Sequence, residues 1–522
     1  MDLSINQSDY IILGGILLIL VYWRVTKSQR RFSKTIVPYL KPVPILGSTW
    51  RNFFQLENQI YTYGRAYENF PDSRFSGFYE VLKPVLLIRD PELVRQMGVK
   101  DFDHFVDHNF FIDETTDPLL GNMMIVMRGQ KWRDMRSTLS PAFTGSKMRN
   151  MFQLVLKSAQ QMALHLKKET TKNGSVTLEM KSLFTKYAND VIASCAFGLE
   201  VDSLRNPENE FYKFGKKVTG FGGLDALLRF LGFNLAPSLM RALNINFLDK
   251  QTMRFFRSLV HDTMSTRELQ KISRPDMIHL LMQARKGTLR DEDNAKSDST
   301  SAKRDWSDDE LTAQALIFLI AGFDTTSTLL MFLAYELALN PEVQECLQEE
   351  IDSIFNADGD EGLTYEKLAK ATYMDMVISE TLRKWPPVVF LDRICLKDYE
   401  IEDNIGRKYT VKRGEGVLFP VYHIHRDQKY FPDPERFDPE RFNDENKKNI
   451  QPFTYMPFGV GPRNCIGSRF ALMETKAMLF IILSSFNFRT CLKTEYPLKL
   501  SKRDFDLVPA NGVWVDVEPR KK

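Results

Sequence analysis

The chain contains 522 residues, of which 43% are hydrophobic, so it is long and apolar enough to bury a sizeable core. Its formal net charge of +3 is the small difference between 70 basic and 67 acidic residues, which gives no indication of a nucleic-acid-binding protein. The five cysteines are odd in number and include no Cys-x-x-Cys pair, which argues against a disulfide framework or a structural zinc site and favours a reducing compartment.

The first element of the chain is predicted to be a membrane anchor covering residues 1–24. The run from Tyr10 to Trp23 carries no charge, and about twenty mostly apolar residues approach the length of a membrane-spanning helix. Acidic residues precede this run, and the basic residues that follow it are Arg24, Lys27, Arg30, Arg31 and Lys34. This order argues against a cleaved signal peptide and predicts a cytosolic location for the rest of the chain, whereas a buried core helix is the alternative.

A linker and one large domain are predicted after the anchor. Residues 25–48 form a basic and proline-rich linker, because Pro38, Pro42 and Pro44 exclude a helix and favour a stiff, extended segment. The remaining residues, 49–522, form the large domain.

Two parts of this domain differ in their predicted secondary structure. Apolar residues at helical spacing predict that the part from Tyr61 to about Phe355 is mainly helical, interrupted by a polar surface loop at Lys286–Asp305. After Lys384, a pair of prolines and short apolar runs predict strands and coil, with a helix returning at Arg469. The predicted fold class is therefore mainly α (α+β), with a large helical part and a smaller β-rich part.

A long helix is predicted after the polar loop. Ser307 and Glu310 form a capping box, and Trp306 and Leu311 are placed as a hydrophobic staple, so the helix is expected to begin here and to run to about Ala338.

The middle of this helix interrupts its apolar character. Ala321 and Gly322 leave one side bare, and Asp324, Thr325 and Thr326 follow them. One interpretation is a glycine kink in which the threonines donate to carbonyls one turn earlier. The other is that a flat group approaches the small residues while a carboxylate and a hydroxyl form a proton relay beside it.

A glycine-rich loop around Cys465 is the strongest candidate site. The stretch FGVGPRNCIGSRFALMETK runs from Phe458 to Lys476 and contains Gly459, Gly461 and Gly467 around the thiol. Thiolates are stabilised where backbone N–H groups and a helix N-terminus converge, and glycines permit that convergence and the close approach of a large cofactor. An ordinary buried cysteine is the alternative, and we favour it for Cys195 and Cys491.

Four ordered motifs resemble those of the cytochrome P450 superfamily. The loop matches the haem-binding pattern Phe-x-x-Gly-x-Arg-x-Cys-x-Gly at every defined position. The other motifs are Ala321–Thr326 on the long helix, Glu380–Arg383, and Pro439–Phe442 before the cysteine loop. The resemblance covers roughly Tyr39 to Val515, and in detail the chain is similar to microsomal insect detoxification enzymes related to vertebrate family-three drug-metabolising P450s. It implies that residues 49–522 form a P450 catalytic domain.

The resemblance implies a haem b group between the long central helix and the cysteine loop. Cys465 is the expected axial thiolate ligand of its iron, which is the ligation typical of this superfamily. Ala321, Gly322 and Phe458 are expected beside the cofactor. The residues that the resemblance assigns to the two haem propionates are Trp132, Arg136, Arg393 and Arg463, with His108 as a weaker candidate.

The resemblance also assigns roles in catalysis and in scaffolding. Asp324 and Thr325 are expected to deliver protons during the activation of dioxygen. Glu380, Arg383 and Arg441 are expected to form a structural lock and are not counted as catalytic.

Electrons must come from another protein, because the chain shows no complete nicotinamide or flavin motif. We expect NADPH to act only indirectly, through NADPH–cytochrome P450 reductase in the endoplasmic reticulum membrane, with cytochrome b5 as a second candidate donor. The catalytic domain would face the cytosol, and basic residues such as Lys131 and Arg133 would offer a docking patch for an acidic partner. No nucleic-acid partner is expected.

The implied reaction is monooxygenation of lipophilic small molecules, since the stretches matching the family's pocket walls are rich in Phe, Leu and Val. Xenobiotics such as insecticides and plant toxins are the expected substrates. An endogenous steroid or fatty-acid hydroxylase is the alternative. A haem-thiolate isomerase or dehydratase would not need the Asp324–Thr325 pair, and a haem sensor would not need a reductase, so the intact pair disfavours these alternatives.

Overall fold

The computed structural model describes residues 7–110, 112–220, 228–229, 232–233, 237–243, 245–289, 305–356, 362–504 and 507–521. The predicted polar loop at Lys286–Asp305 lies largely outside these residues.

Helices make up most of the described chain. In the N-terminal half they are α1 (Gln7–Ser28), α2 (Trp50–Phe53), α3 (Gln59–Glu68), α4 (Pro91–Arg95), α5 (Gly129–Leu139), α6 (Gly145–Asn173), α7 (Met180–Phe197), α8 (Glu210–Thr219) and α9 (Pro237–Ala242). Those that follow are α10 (Lys250–Gln270), α11 (Met277–Arg285), α12 (Asp308–Leu339), α13 (Pro341–Asn356), α14 (Tyr365–Ala369), α15 (Thr372–Lys384), α16 (Val421–Ile424) and α17 (Ser468–Leu483).

The strands form three small sheets. They are β1 (Phe75–Glu80), β2 (Lys83–Ile88), β3 (Val176–Glu179), β4 (Leu391–Ile394), β5 (Tyr399–Glu402), β6 (Lys408–Val411), β7 (Gly416–Phe419), β8 (Phe486–Arg489) and β9 (Trp514–Pro519). The sheet orders are β1-β2-β7-β4, β3-β9-β8 and β5-β6, and every pair is antiparallel except β2 with β7.

The large helical part with a smaller β part agrees with the predicted fold class. However, the expectation of a mainly helical segment from Tyr61 to Phe355 missed β1, β2 and β3. Five of the six β1 residues are buried, so the strand lacks the alternation of buried and exposed residues by which a strand is recognised in a sequence. In addition, β2 pairs with β7, which lies far from it along the chain, so no local pattern indicates this pairing.

The central helix α12 is the core of the helical part. Its predicted start is confirmed, because Ser307 caps the helix and the capping box with Glu310 is complete. Most of its residues are buried, and it packs mainly against α7. Among the described residues, α12 is the helix with the length and hydropathy of a membrane span, and 61% of its most apolar window is buried within the protein.

The segment that follows α1 is joined to the first sheet. Phe32 is fully buried and its ring lies 5.3 Å from that of Tyr79. The Gln29 side chain donates to the carbonyl oxygens of Val43 and Val81. Farther along, the Leu40 N–H donates to the Gly77 carbonyl, so this segment adds backbone pairing to β1.

Candidate functional site

The loop around Cys465 is held by its own backbone. The Cys465 N–H donates to the Phe458 carbonyl at 2.8 Å, and α17 begins three residues after the cysteine. Gly461 has a φ of 65°, and a Cβ on it would lie 1.9 Å from the carbonyl oxygen of Gly98, so no other residue fits this position. Gly459 has a φ of 82°. These two glycines let the chain turn tightly before the thiol.

Cys465 is exposed as a residue, whereas its thiol is largely surrounded by protein. Desolvation raises the pKa of this thiol, while the Gly467 N–H and the Arg136 guanidinium act in the opposite direction. By contrast, Cys195 is 2% exposed, and burial near Glu474 raises the pKa of its thiol strongly. Of these two cysteines, Cys465 is the one that combines exposure with groups that favour a thiolate.

Arg463 belongs to this loop, and two arginines from distant parts of the chain, Arg136 and Arg393, lie near it. Arg463 donates to the carbonyls of Val106, Met124 and Met127, and its guanidinium lies 4.0 Å from the centre of the Trp132 ring. Burial lowers the pKa of Arg463 to about 9, and the charges of Arg393 and Arg136 add to this shift, whereas Asp107 at 3.5 Å acts in the opposite direction. The site therefore holds mutually repelling cations in a poorly solvated environment.

Arg393, at the end of the sheet strand β4, is 1% exposed, and its Nε has no hydrogen-bond partner. Beside it, His108 Nδ1 lies 2.8 Å from Asp392 Oδ1. His108 and the Asn109 N–H hold the pKa of Asp392 down at about 2, although burial acts against this shift. Burial also lowers the pKa of His108. This cluster offers an unused buried donor next to the cysteine loop.

The residues fit the haem group that the sequence implies. The two propionates of haem are carboxylates, which would supply acceptors for the unused Arg393 Nε and offset the repulsion felt by Arg463. Among the described residues no cluster of three or more His, Cys, Asp or Glu side chains is placed to hold a bare metal ion. A single thiolate is sufficient for haem iron, because the porphyrin supplies the other ligands of the metal.

Arg136 and Phe458, whose contact with the cofactor stays a prediction, also bind the backbone around Cys465. Arg136 donates to the backbone and side-chain oxygens of Asn464 at 2.7 Å each, which ties α5 to the residue before Cys465. Phe458 is half-buried against the main core and supplies the carbonyl that accepts from the cysteine N–H.

The middle of α12 presents polar groups on two sides. The Thr325 hydroxyl donates to the Ala321 carbonyl at 2.5 Å, which is the back-bonding considered as the first interpretation of this stretch. Asp324 instead lies beside α7, where its Oδ1 is 2.8 Å from Lys181 Nζ. The same ammonium contacts the hydroxyls of Ser327 at 2.8 Å and Thr328 at 2.6 Å.

The missing side chain of Gly322 faces α7. A Cβ on Gly322 would lie 2.4 Å from Cδ1 of Ile192, so close helix packing alone requires this glycine. Ala321, by contrast, is exposed in the middle of a largely buried helix. The bare surface expected of both residues is therefore found at Ala321, whereas the role of Gly322 beside the cofactor stays a prediction.

The expected structural lock is present. Arg383 and Glu380 are fully buried and form two hydrogen bonds of 2.7 and 2.8 Å. Arg441 approaches the same carboxylate at 3.5 Å. These contacts connect α15 to the segment that leads into the cysteine loop.

Two of the basic residues expected to dock a redox partner are engaged within the protein. Lys131 lies 2.5 Å from Glu114 and 3.0 Å from Glu310, and Arg133 lies 2.6 Å from Asp103. Their charges are thus partly neutralised on this face.

Several residues of the site were not found from the sequence. Lys181 carries no motif of its own, and Asn464 and Asp392 are neighbours of motif residues whose contacts depend on distant helices and strands. A search for acidic residues next to the predicted Arg393 would have found Asp392.

Comparison with known proteins agrees with this geometry. The sequence profile described as Cytochrome P450 matches residues 37–514. Cytochrome P450 9e2 of Blattella germanica is 46% identical over 524 residues, which cover 97% of this chain and 96% of that protein. Cytochrome P450 9b2 of Drosophila melanogaster is 40% identical over 506 residues (96% and 97%), and cytochrome P450 6k1 of Blattella germanica is 36% identical over 480 residues (91% and 90%). With a profile match over most of its length and relatives this similar, the chain belongs to the cytochrome P450 family.

Proposed function

We propose that this P450 monooxygenase inserts one atom of dioxygen into lipophilic xenobiotics such as insecticides and plant toxins, with Cys465 as the axial ligand of haem b. When bound, the haem supplies the activation of dioxygen, which thiolate ligation promotes. The observation that carries the ligand assignment is the convergence of Arg136, Arg393 and Arg463 at the loop that presents the exposed residue Cys465.

Asp324 and Thr325 are proposed to supply protons during turnover. The Asp324 carboxylate is half-exposed and lies 2.8 Å from Lys181 Nζ, so it has access to water and contacts a second polar group. Thr325 is next to it on α12 and is partly exposed. Its hydroxyl can donate away from the helix after a change of rotamer, since its present acceptor is a carbonyl of its own helix.

The lipophilic substrate class is supported by the residues around this part of α12. Ile317, Phe318 and Ile320 are only partly buried, although residues 310–316 of the same helix are buried. Val388, on the segment before β4, is 44% exposed. Accessible apolar side chains beside the predicted proton relay favour apolar ligands. An endogenous steroid or fatty acid fits the same chemistry and is the second candidate.

The proposed location is the endoplasmic reticulum membrane, with the catalytic domain in the cytosol and a reductase as the electron donor. The apolar side chains from Ile12 to Trp23 that are described in α1 are about half to three-quarters exposed, with Leu18 at 72%. So large an apolar surface is rare in soluble proteins and suits a lipid environment.

The ligand assignment is tested by replacing each of two cysteines. Cys465→Ala should abolish the carbon-monoxide difference spectrum of haem-thiolate type, because the thiolate is lost. Cys195→Ala, the matched control, should keep that spectrum, because this buried thiol faces the core. A normal haem-thiolate spectrum in Cys465→Ala would reject the assignment.

The substrate class is tested by a screen with purified reductase and NADPH. Insecticides, plant toxins, steroids and fatty acids are compared by product formed per NADPH oxidised, with Cys465→Ala as the blank. Efficient turnover confined to one steroid or fatty acid would replace the xenobiotic proposal by the endogenous one.

A further inference from the structure

We infer that His425 is a positioning residue for the cysteine loop: its neutral imidazole connects the buried lock of α15 to the backbone that leads into Cys465. The inference rests on the proposed ligand role of Cys465. His425 follows α16 directly and is 0% exposed.

Both ring nitrogens of His425 are engaged by backbone groups. His425 Nε2 accepts a hydrogen bond of 2.9 Å from the Met456 N–H, and Nδ1 lies 3.2 Å from the carbonyl oxygen of Arg383. A carbonyl can only accept, so the ring proton must sit on Nδ1 and Nε2 must be free to accept from Met456. A single tautomer satisfies both contacts.

The surroundings hold this ring in place. Tyr455 is stacked on it with ring centres 5.4 Å apart, and the Arg383 guanidinium donates to the His425 carbonyl at 2.9 Å. The same guanidinium forms the buried pair with Glu380. The imidazole is thus fixed to the lock by both its ring and its backbone.

From His425 a continuous series of hydrogen bonds reaches the thiol-bearing residue. Met456, whose N–H the histidine binds, offers its carbonyl to the Gly459 N–H at 3.1 Å. Phe458 offers its carbonyl to the Cys465 N–H at 2.8 Å. Removal of the acceptor at His425 would leave the buried Met456 N–H without a partner. It would also destabilise the backbone from Met456 to Phe458, whose last carbonyl accepts the hydrogen bond of the Cys465 N–H.

A second histidine provides a matched control. His423 lies within α16, and burial lowers its pKa to about 3, as it does that of His425. However, its ring faces α3: its Nε2 lies 2.9 Å from where a Cβ on Gly64 would be, and its Nδ1 has no partner. It makes no contact with the cysteine loop among the hydrogen bonds of the described residues.

The test compares His425→Leu, His425→Gln and His423→Leu in the haem-loaded protein. Each variant is held at one temperature below its unfolding transition, and the decay of the haem-thiolate carbon-monoxide spectrum is measured over time. Global unfolding of the same sample is measured separately, so that loss of the spectrum can be compared with loss of the fold. The His425→Leu spectrum should decay roughly tenfold faster than that of His423→Leu, about the effect of one lost hydrogen bond. His425→Gln should remain close to the wild type, because its amide oxygen can accept from Met456 and its NH2 can donate to Arg383.

Equal decay in His425→Leu and His423→Leu would overturn the inference, as would a His425→Gln variant that decays like His425→Leu. If His425→Leu does not accumulate, ¹⁵N-histidine NMR of the wild type decides, with His425→Gln assigning the resonance. The proton should lie on Nδ1, and a proton on Nε2 would reject the proposed contact. A haem-thiolate spectrum that survives Cys465→Ala would instead refute the ligand assignment, so the two failures are distinguishable.

Discussion

At the scale of single residues, Thr325 has the clearest test. Its hydroxyl donates to the Ala321 carbonyl, so it is not required to hold any other element of the fold. Its neighbour Thr326 is 2% exposed, and its hydroxyl lies 3.3 Å from Glu474 on α17. The two adjacent threonines therefore differ in their surroundings. Substitution of Thr325 tests a role in catalysis, and substitution of Thr326 tests a role in packing.

Thr325→Val should uncouple NADPH consumption from product formation. The substitution keeps the shape of the side chain and removes only the hydroxyl, so haem incorporation and substrate binding should change little. Oxygen should leave as peroxide, and a tenfold loss in product per NADPH corresponds to about 1.4 kcal/mol in the competition between the two outcomes. The measurement is product, peroxide and NADPH from one reaction with reductase.

Thr326→Val is the control for this experiment. It should lower stability, since it leaves the buried Glu474 without its hydroxyl partner, but it should keep the yield of product per NADPH. Unchanged coupling in Thr325→Val, or equal uncoupling in both variants, would show that the Thr325 hydroxyl only serves the packing of the helix.

Residues within contiguous motifs could be predicted from the sequence, whereas their partners could not. Cys465, Arg463 and Phe458 could be assigned roles, which stay predictions, because the loop motif is local and each position has a chemical reason. Lys181 contacts Asp324 across 143 positions of the chain, and His108 contacts Asp392 across 284. Such pairs depend on how helices and sheets pack, which no local pattern encodes.

At the scale of elements, the contact between α7 and α12 sets the position of the predicted relay. Gly322 lets the two helices approach at Ile192, and Lys181 of α7 contacts Asp324, two residues after Gly322. A change in the spacing of these helices would thus be transmitted to the relay carboxylate.

Gly322→Ala should destabilise the protein, although alanine favours a helix by about 1 kcal/mol over glycine. The new Cβ would lie 2.4 Å from Ile192 Cδ1, and overpacking of this kind costs roughly 1–3 kcal/mol. Ile192→Val removes Cδ1, so the double variant should recover part of the loss. Urea unfolding of the wild type, both single variants and the double variant measures the coupling; additive effects would contradict the predicted steric contact.

Helices were predicted more successfully than strands. The start of α12 could be recognised because a capping box uses residues three positions apart, and its interior follows from an apolar run. The strands β1 and β2 are short and mostly buried, and their stability depends on pairing with β7, so propensity alone could not separate them from helix.

At the scale of the whole molecule, the chain joins the buried part of the protein from Thr26 onward, directly after the predicted anchor. Thr26 and Gln29 are buried, and Arg31 forms an ion pair with the buried Glu415 of the segment before β7. The basic linker therefore contributes to the fold of the body.

Removal of residues 1–23 should release the protein partly from membranes and should preserve haem binding, because the exposed apolar helix is lost and the buried contacts remain. Removal of residues 1–35 should in addition lower the unfolding temperature, since it deletes Phe32 and Gln29; truncation of a buried Phe alone costs about 3–5 kcal/mol. Fractionation and thermal unfolding measure the two effects. Full-length protein in the soluble fraction, or equal stability of both truncations, would contradict this division.

The burial of Gln29 and Phe32 also has a consequence for encounters between proteins. A domain on a loose tether samples many orientations, and only a small fraction of its collisions present the correct face. Here the chain that leaves α1 is pinned to β1 within a few residues, so a bilayer around α1 would restrict the tilt of the body. A partner in the same bilayer would then search mainly over lateral position and rotation about the membrane normal, which favours productive collisions even when each contact is weak.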